Sequence, residues 1–422
     1  MKKLLSIFFL LTGSLFAREL TLDEAINLSL TNSKDIQISE KNLEISEINL
    51  QKAFKLALPT VTYNGKYSRT NYDRKIAIDD HSSEKGRGSY SQSITIAQPL
   101  FAGGTIFAGI KGAQAYENIA NYNFLNSKIK MRIETIAAYF SLLNAEKDLN
   151  ALKNSKSILQ KRYDKQKVQL ELRLIRKSDI SQTEYSLLNV ESNIIAIKSQ
   201  IDTYREQLRI KTGLAKNEFI TVVDFNVPMN LSKNINIDKD LEQAINESLN
   251  AKIAEEMYKI SEAQTIAAAG SILPKVSAFA TYGTTERTKF ENSYRDAKWV
   301  GGIQVTWNVF SFGSDIDEYR IAKLEEEQQK LKEISTKENI EIAVKSAYFD
   351  LLRLEKLRES KSKALEVAKL NFEMDQERYD AGLISTIDYL DTENTYRNAN
   401  IDYNKTLMDY YLAFEKYRSL II

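Results

Sequence analysis

The chain repeats itself, without a gap across three stretches. "AAYFSLL" at Ala137 is echoed by "SAYFDLL" at Ser346, which pairs Phe140 with Phe349 at a separation of 209 residues. The same separation pairs Phe101 with Phe310, in "QPLFAGG" and "WNVFSFG", and Asp179 with Asp388, in "RLIRKSDISQTE" and "GLISTIDYLDTE". Upstream, "LDEAINLSL" resembles "LEQAINESL" and "ALPTVTYNGKY" resembles "ILPKVSAFATY", with small differences in length. One offset held across three stretches marks a tandem duplication. The repeats span residues 18–216 and 240–422, and residues 217–239 join them.

Each half has one order: a helical run, a proline, two alternating segments, then a long tract free of proline. The first run, Leu22 to Leu58, stops before Pro59, as helices tend to do. Val61, Tyr63 and Tyr67 then alternate with Thr62, Asn64, Lys66 and Ser68, and Tyr90, Ile94 and Ile96 with Ser91, Ser93 and Thr95. The second half does likewise, through Val276, Ala278, Ala280 and Tyr282, and through Trp299, Ile303, Val305, Trp307 and Val309. A period of two over about 10 to 12 residues predicts strands long enough to cross a bilayer when tilted. The segments between them, "DRKIAIDDHSSEKGR" and "ERTKFENSYRDAK", are polar and suit an exposed surface.

Four strands cannot close a barrel, and an open edge in lipid leaves backbone groups unsatisfied at several kcal/mol each. Closure needs about eight strands, hence several chains. The strands therefore predict an obligate oligomer, of a number this argument does not set.

The long tracts run from about Gly104 to Leu214 and from about Gly313 to Ile422. Val344, Ala347, Leu351 and Leu354 follow the 3,4,3 spacing of a heptad seam, with charged residues on other faces. Breaks at Leu172 to Ser178 and at Ala381 to Thr386 divide each tract into arms. The arm before each break spans roughly 100 Å at 1.5 Å per residue. Folded back as antiparallel hairpins, such arms are too long for a compact domain and would stand as a tube beneath the barrel.

Composition narrows the function. Lys and Arg number 58 against 57 Asp and Glu, which argues against a nucleic-acid binder. "MKKLLSIFFLLTGSLFA" reads as a secretory signal cut after Ala17; its loss removes Lys2 and Lys3 and leaves a formal charge of −1. The chain has no cysteine, so neither a lipid anchor after the signal nor a disulfide is expected. His81 is the only histidine, and neither a catalytic triad nor a metal cluster can be built around it. The glycines of "FAGGTIFAGIKG" lack the spacing and lysine of a phosphate loop, and suit a sharp turn from strand into helix. No cofactor and no enzymatic activity is expected.

These residues resemble the TolC-like outer membrane efflux proteins. The resemblance rests on the duplicated plan, on "ALPTVTY" and "ILPKVSAFATY" before the strands, on "QPLFAGG" after them, and above all on "RYDAGLISTIDYLDTENTY". It implies an α+β membrane protein: a homotrimer whose 12-stranded β-barrel, four strands per chain, continues as an α-helical coiled-coil tunnel across the periplasm. Residues 217–239 would fall in its equatorial region. It also implies the outer membrane of a diderm bacterium, contact with outer membrane lipid, and work with a periplasmic adaptor and an inner-membrane pump.

Asp388 and Asp391, at i and i+3, share one helical face. Ser385 and Asp388 fit a capping box, an acid three residues after a hydroxyl, which accounts less well for Asp391. The resemblance implies a second role, since the matching acids line the family's periplasmic entrance. Six carboxylates in one trimeric mouth would attract cations and repel anions. Asp179 matches an acid that helps hold the entrance closed by pairing with an arginine, but Ile384 stands in that arginine's place. Tyr379 matches a tyrosine of the closing contacts, or is an interior aromatic. The tips Gly382, Leu383, Ile384 and Ser385, and Arg173, Leu174, Ile175 and Arg176, would face the adaptor, or are simple turn residues. The first tip carries Arg173 where the second carries Gly382.

The expectation is a passive exit duct opened at its periplasmic end by adaptor and pump, with energy supplied by the pump. Two alternatives stand: a duct for type I protein secretion, with the same architecture, and a coiled-coil stalk or adhesin with a barrel anchor. Strands in both halves count against a single terminal anchor. Cargo is not written in the chain, because a duct need not recognise what it passes.

Overall fold

The computed structural model describes residues 18–69, 88–216, 218–287 and 297–422. The signal segment, His81, the first polar segment between strands and most of the second lie outside the described residues. Elements follow in the order β1 (Arg18–Leu20), α1 (Leu22–Asn32), α2 (Lys34–Lys55), β2 (Thr60–Arg69), β3 (Gly88–Phe101), α3 (Thr105–Glu171) and α4 (Lys177–Thr212). The second half adds β4 (Ile220–Val222), a 3-10 turn (Leu231–Asn234), α5 (Ile237–Glu247), α6 (Leu249–Ser271), β5 (Lys275–Arg287), β6 (Lys298–Thr306), α7 (Ser314–Asp380) and α8 (Thr386–Ser419). Helices α3 and α7 are both 67 residues long and begin and end 209 positions apart. The duplication thus survives in the backbone.

The chain forms two compact units. One comprises Lys41–Tyr122 and Asn250–Thr336 and holds an antiparallel sheet in the order β2-β3-β5-β6. Register puts Tyr63 opposite Ile94, Ile94 opposite Tyr282, and Tyr282 opposite Trp299, so one face is apolar. On the other face Thr62 opposes Thr95 and Thr95 opposes Thr281, with the last two hydroxyls 3.0 Å apart. Period-two alternation within each strand becomes two chemically distinct faces because the β3–β5 register is even from Gln92 to Pro99, shifting only between Tyr90 and Gln92 and between Pro99 and Phe101. Val61, Trp299, Ile303 and Val305 are exposed on the apolar face.

Where β3 turns into α3, Gly103 has φ +64°, and a Cβ there would sit 2.2 Å from the Gly270 carbonyl oxygen. The relation is reciprocal, since a Cβ on Gly270 would sit 2.2 Å from the Gly103 oxygen. The glycines of "FAGG" thus serve the turn and the close approach of two backbones. Ala115, Ile119 and Ile260 form the small apolar core between α3 and α6 in this unit.

The other unit comprises, among the described residues, 18–40, Asn123–Leu249 and Lys337–Ile422. Its largest core gathers Leu20, Ile26, Ile136, Tyr139, Leu142, Leu208, Ile220, Leu351, Met408 and Tyr410. Here the structure adds what the sequence did not show. β1 pairs in parallel with β4, Arg18 with Ile220 and Leu20 with Val222. The Tyr139 hydroxyl donates toward the Leu20 and Val223 carbonyls at 3.0 and 2.6 Å, tying both strands to α3. The joining segment is therefore part of a core. The first helical run is also two helices, interrupted at Ser33, which has extended backbone (φ −61°, ψ 135°). Among the described residues no helix is long and apolar enough to cross a membrane.

Candidate functional site

The turns between α3 and α4 and between α7 and α8 are built alike. Leu174 N–H donates to the Gln169 carbonyl and Leu383 N–H to the Arg378 carbonyl, each at 2.8 Å, closing the six-residue loop of a Schellman motif. The left-handed residue that such a motif requires is Gly382 (φ +74°) in one turn and Arg173 (φ +58°) in the other. A side chain costs roughly 1–2 kcal/mol in that region. The first turn bears this strain while presenting a cation at its tip. Leu174 and Leu383 are exposed, Ile175 and Ile384 are half-buried, and Arg176 and Ser385 are exposed.

Both acids at the starts of the following helices act as caps. Asp388 Oδ2 accepts from the Ser385 amide at 3.3 Å and from the Ser385 hydroxyl at 2.7 Å, and Ser385 Oγ accepts from the Asp388 amide at 3.2 Å. Asp179 Oδ2 accepts from the Arg176 amide at 3.1 Å. Carboxylates here satisfy orphan N–H groups and complement the helix dipole. Asp391 lies one turn further along α8, exposed, on the rim of a groove of about 430 Å³ that Tyr185, Asn189, Leu390 and Asn394 also line.

Tyr379 belongs to a network that sequence reasoning missed. Its hydroxyl accepts from Gln166 Nε2 at 2.8 Å and lies 2.9 Å from Thr386 Oγ1. The Arg162 guanidinium carbon sits 4.0 Å from the Tyr379 ring centre and 4.3 Å from that of Tyr389. Arg162 Nη1 is 3.1 Å from Asp380 Oδ1, and Lys165 Nζ is 3.0 Å from the same oxygen. The Lys165 hydrogen bond, helped by the Arg162 charge, holds the Asp380 carboxyl below the usual carboxylate range. Burial pushes the Tyr389 phenol up. Arg162 is thus fixed three ways, by two ring faces and a carboxylate, and it links α3 of the first repeat to α7 and α8 of the second.

The signal for Arg162 was present. Leu152, Ser155, Leu159, Arg162 and Gln166 keep the 3,4,3,4 spacing of a seam, and all five are buried. The seam simply turns polar toward the tip, where a search for apolar heptads ends. A second polar crossing lies behind it: Arg397 Nη1 on α8 donates to Ser155 Oγ on α3 at 2.9 Å and pairs with the buried Glu393 at 3.4 Å.

The chain combines a four-stranded sheet having one apolar and one polar face with a duplicated set of long helix hairpins. The family model for outer membrane efflux proteins matches residues 25–214 and 241–421, and the chain belongs to that family. Among solved structures, the Campylobacter jejuni CmeC outer membrane channel matches with a TM-score of 0.79 at 17% identity, covering 95% of this chain and 85% of that one. The outer membrane protein VceC of Vibrio cholerae matches at 0.75 and 12%, covering 94% of this chain and 95% of its own. The open-state MtrE outer membrane channel of Neisseria gonorrhoeae matches at 0.74 and 17%, covering 95% and 88%. Comparison with curated protein sequences gives no match.

Proposed function

We propose that three copies of this chain form the passive exit duct of a tripartite efflux pump, opened at its periplasmic end by an adaptor and an inner-membrane pump. The observation that carries this reading is the sheet. Its apolar face suits lipid and its polar face suits a water-filled bore, and the backbone groups on its outer edges, β2 and β6, need partners that further copies can supply. Trp299 in β6 and Trp307 just past its end lie eight residues apart, about 26 Å along an extended chain and about 20 Å along the membrane normal at the usual strand tilt, within the height of the apolar band of outer membrane barrels.

In this reading the helical turns form the entrance. Asp388 and Asp391 give it a ring of carboxylates, Asp179 and Tyr379 stand at the constriction, and the tips from Arg173 to Arg176 and from Gly382 to Ser385 meet the adaptor. The pump supplies the energy. The test is reconstitution of the detergent-extracted oligomer in planar bilayers, with the adaptor and pump identified by co-purification. Discrete conductance steps support a duct; an oligomer that inserts and never conducts rejects it and leaves the stalk.

A further inference from the structure

The duplication fixes how one copy should meet the next. The two hairpins of the sheet share one register: Tyr63 faces Ile94 in the first, and Ala278 faces Ile303 in the second. β2 therefore maps onto β5 with an offset of 215, and β3 onto β6 with an offset of 209. The ends agree as well, since Thr60 opposite Ala97 becomes Lys275 opposite Thr306. Between the hairpins, β3 and β5 form a seam in which Ile94 faces Tyr282, Ile96 faces Ala280 and Gln98 faces Ala278. β6 and β2 are the corresponding strands at the sheet's outer edges.

We propose that β6 of one copy pairs antiparallel with β2 of the next in the register of the internal seam, with Ile303 facing Tyr67 of the partner subunit, Val305 facing Gly65 of the partner subunit and Trp307 facing Tyr63 of the partner subunit. This rests on the oligomeric duct proposed above and names its contact. A head-to-tail contact of this kind closes into a ring when its rotation does.

Three observations carry the register. It sets apolar residues against apolar ones on one face, and Gln304 and Thr306 against Lys66 and Asn64 of the partner subunit on the other. It also matches small residues across the seam. Inside the chain Gly283 faces Ser93, and a Cβ on Gly283 would lie 2.6 Å from the Ser93 Cα. The proposed register puts Gly302 against Ser68 of the partner subunit, so the glycine changes sides while the pair stays small. Finally, β3 continues through Gln98, Pro99 and Phe101 because β5 pairs with them. Their counterparts Trp307, Asn308 and Phe310 follow the end of β6, and Trp307, Val309 and Phe310 are exposed. A second copy would extend β6 over this stretch.

Disulfide trapping tests the register, because the natural chain contributes no thiol. Lys66→Cys is combined in turn with Val300→Cys, Gln304→Cys and Asn308→Cys, all on the polar face, in the full-length protein in outer membrane vesicles. Positions four residues out of register lie about 13 Å away along the strand, beyond disulfide reach. β2 and β6 lie three strand spacings apart within one chain, about 14 Å, so a bond between them joins two copies. The expected result is covalent dimers and closed rings for Gln304→Cys with Lys66→Cys, and loss of that ladder in the other two pairs. Should the first pair fail to insert, Thr306→Cys with Asn64→Cys samples the same register. A ladder with Val300→Cys or Asn308→Cys instead overturns the register and leaves the oligomer standing. Monomer in every pair, with the inserted protein also monomeric by size, overturns both.

Discussion

Arg162 and Asp380 meet across the two repeats, guanidinium to carboxylate at 3.1 Å, with the arginine side chain 7% exposed and the aspartate 45%. Removing one partner of a fully buried pair costs about 3–5 kcal/mol. Asp380 is half in solvent and keeps Lys165, so Arg162→Ala should fall below that range. It is expected to lower the melting temperature of the purified channel and to raise its resting conductance in planar bilayers. Arg162→Lys should not rescue, because an ammonium loses the planar stacking on Tyr379 and Tyr389. A wild-type resting conductance in Arg162→Ala would remove this network from the gate.

Tyr379→Phe deletes one hydroxyl. Gln166 is fully buried, and its Oε1 already lacks a partner. Losing the 2.8 Å bond would leave its amide only the longer one, 3.4 Å, to Thr386. A buried donor so deprived costs about 1–3 kcal/mol. Chemical denaturation should register that loss, and Tyr379→Phe with Gln166→Leu should recover part of it.

The two acids after Ser385 should separate by their readouts. Asp388→Ala leaves the Ser385 cap but removes the carboxylate half of the capping box and its favourable charge at the helix start, and is expected to cost about 0.3–1 kcal/mol of stability. Asp391 serves no cap, so Asp391→Ala should leave thermal unfolding unchanged. Both should weaken cation preference, measured as a reversal potential in a salt gradient. An unchanged reversal potential in the double variant would reject the carboxylate ring.

Gly103→Ala and Gly270→Ala each drive a methyl to 2.2 Å from a backbone oxygen, so either should abolish stable insertion. Gly313→Ala is the control. Its φ of +87° makes alanine strained, but no atom lies within 4 Å, so only the backbone penalty applies. Heat-modifiable mobility in gels reports the difference.

Burial lifts Asp148 to about 6 against the pull of Lys405. Its folded value lies above the unfolded 3.8, so the folded chain binds the extra proton between these values. Stability from this group should fall as pH rises from about 4 to about 6 and stay at its lower level above that window. Asp148→Asn should flatten this part of the curve of melting temperature against pH; an unaltered slope would show that other carboxylates set it.

Periodicity was enough for the largest features. The proline-free tracts were read as broken at the tips, and α3 and α7 end there; alternation marked all four strands of the sheet. What escaped was short or polar. β1 and β4 have three residues each, too few for a period, and they exist because Leu20 and Ile220 are buried around Tyr139. Arg162 escaped because a charged residue on a seam reads as its end. The capping of Asp388 was legible as Ser385 followed by an acid; that Asp179 also caps was hidden by Arg176, whose backbone carbonyl accepts from the Asp179 amide at 3.1 Å where the sequence pattern expects a hydroxyl.

The tyrosine-flanked arginine has no twin. Shifting by 209 positions, Arg162 becomes Asn371, while Tyr379, Asp380 and Tyr389 descend to Leu170, Glu171 and Ile180. A ring of three chains would hold six near-equivalent junctions of which three are stitched, so its aperture need not dilate evenly. In such a ring one set of hairpins would swing while its sisters stood still, and a stimulus would need to act at only every other junction.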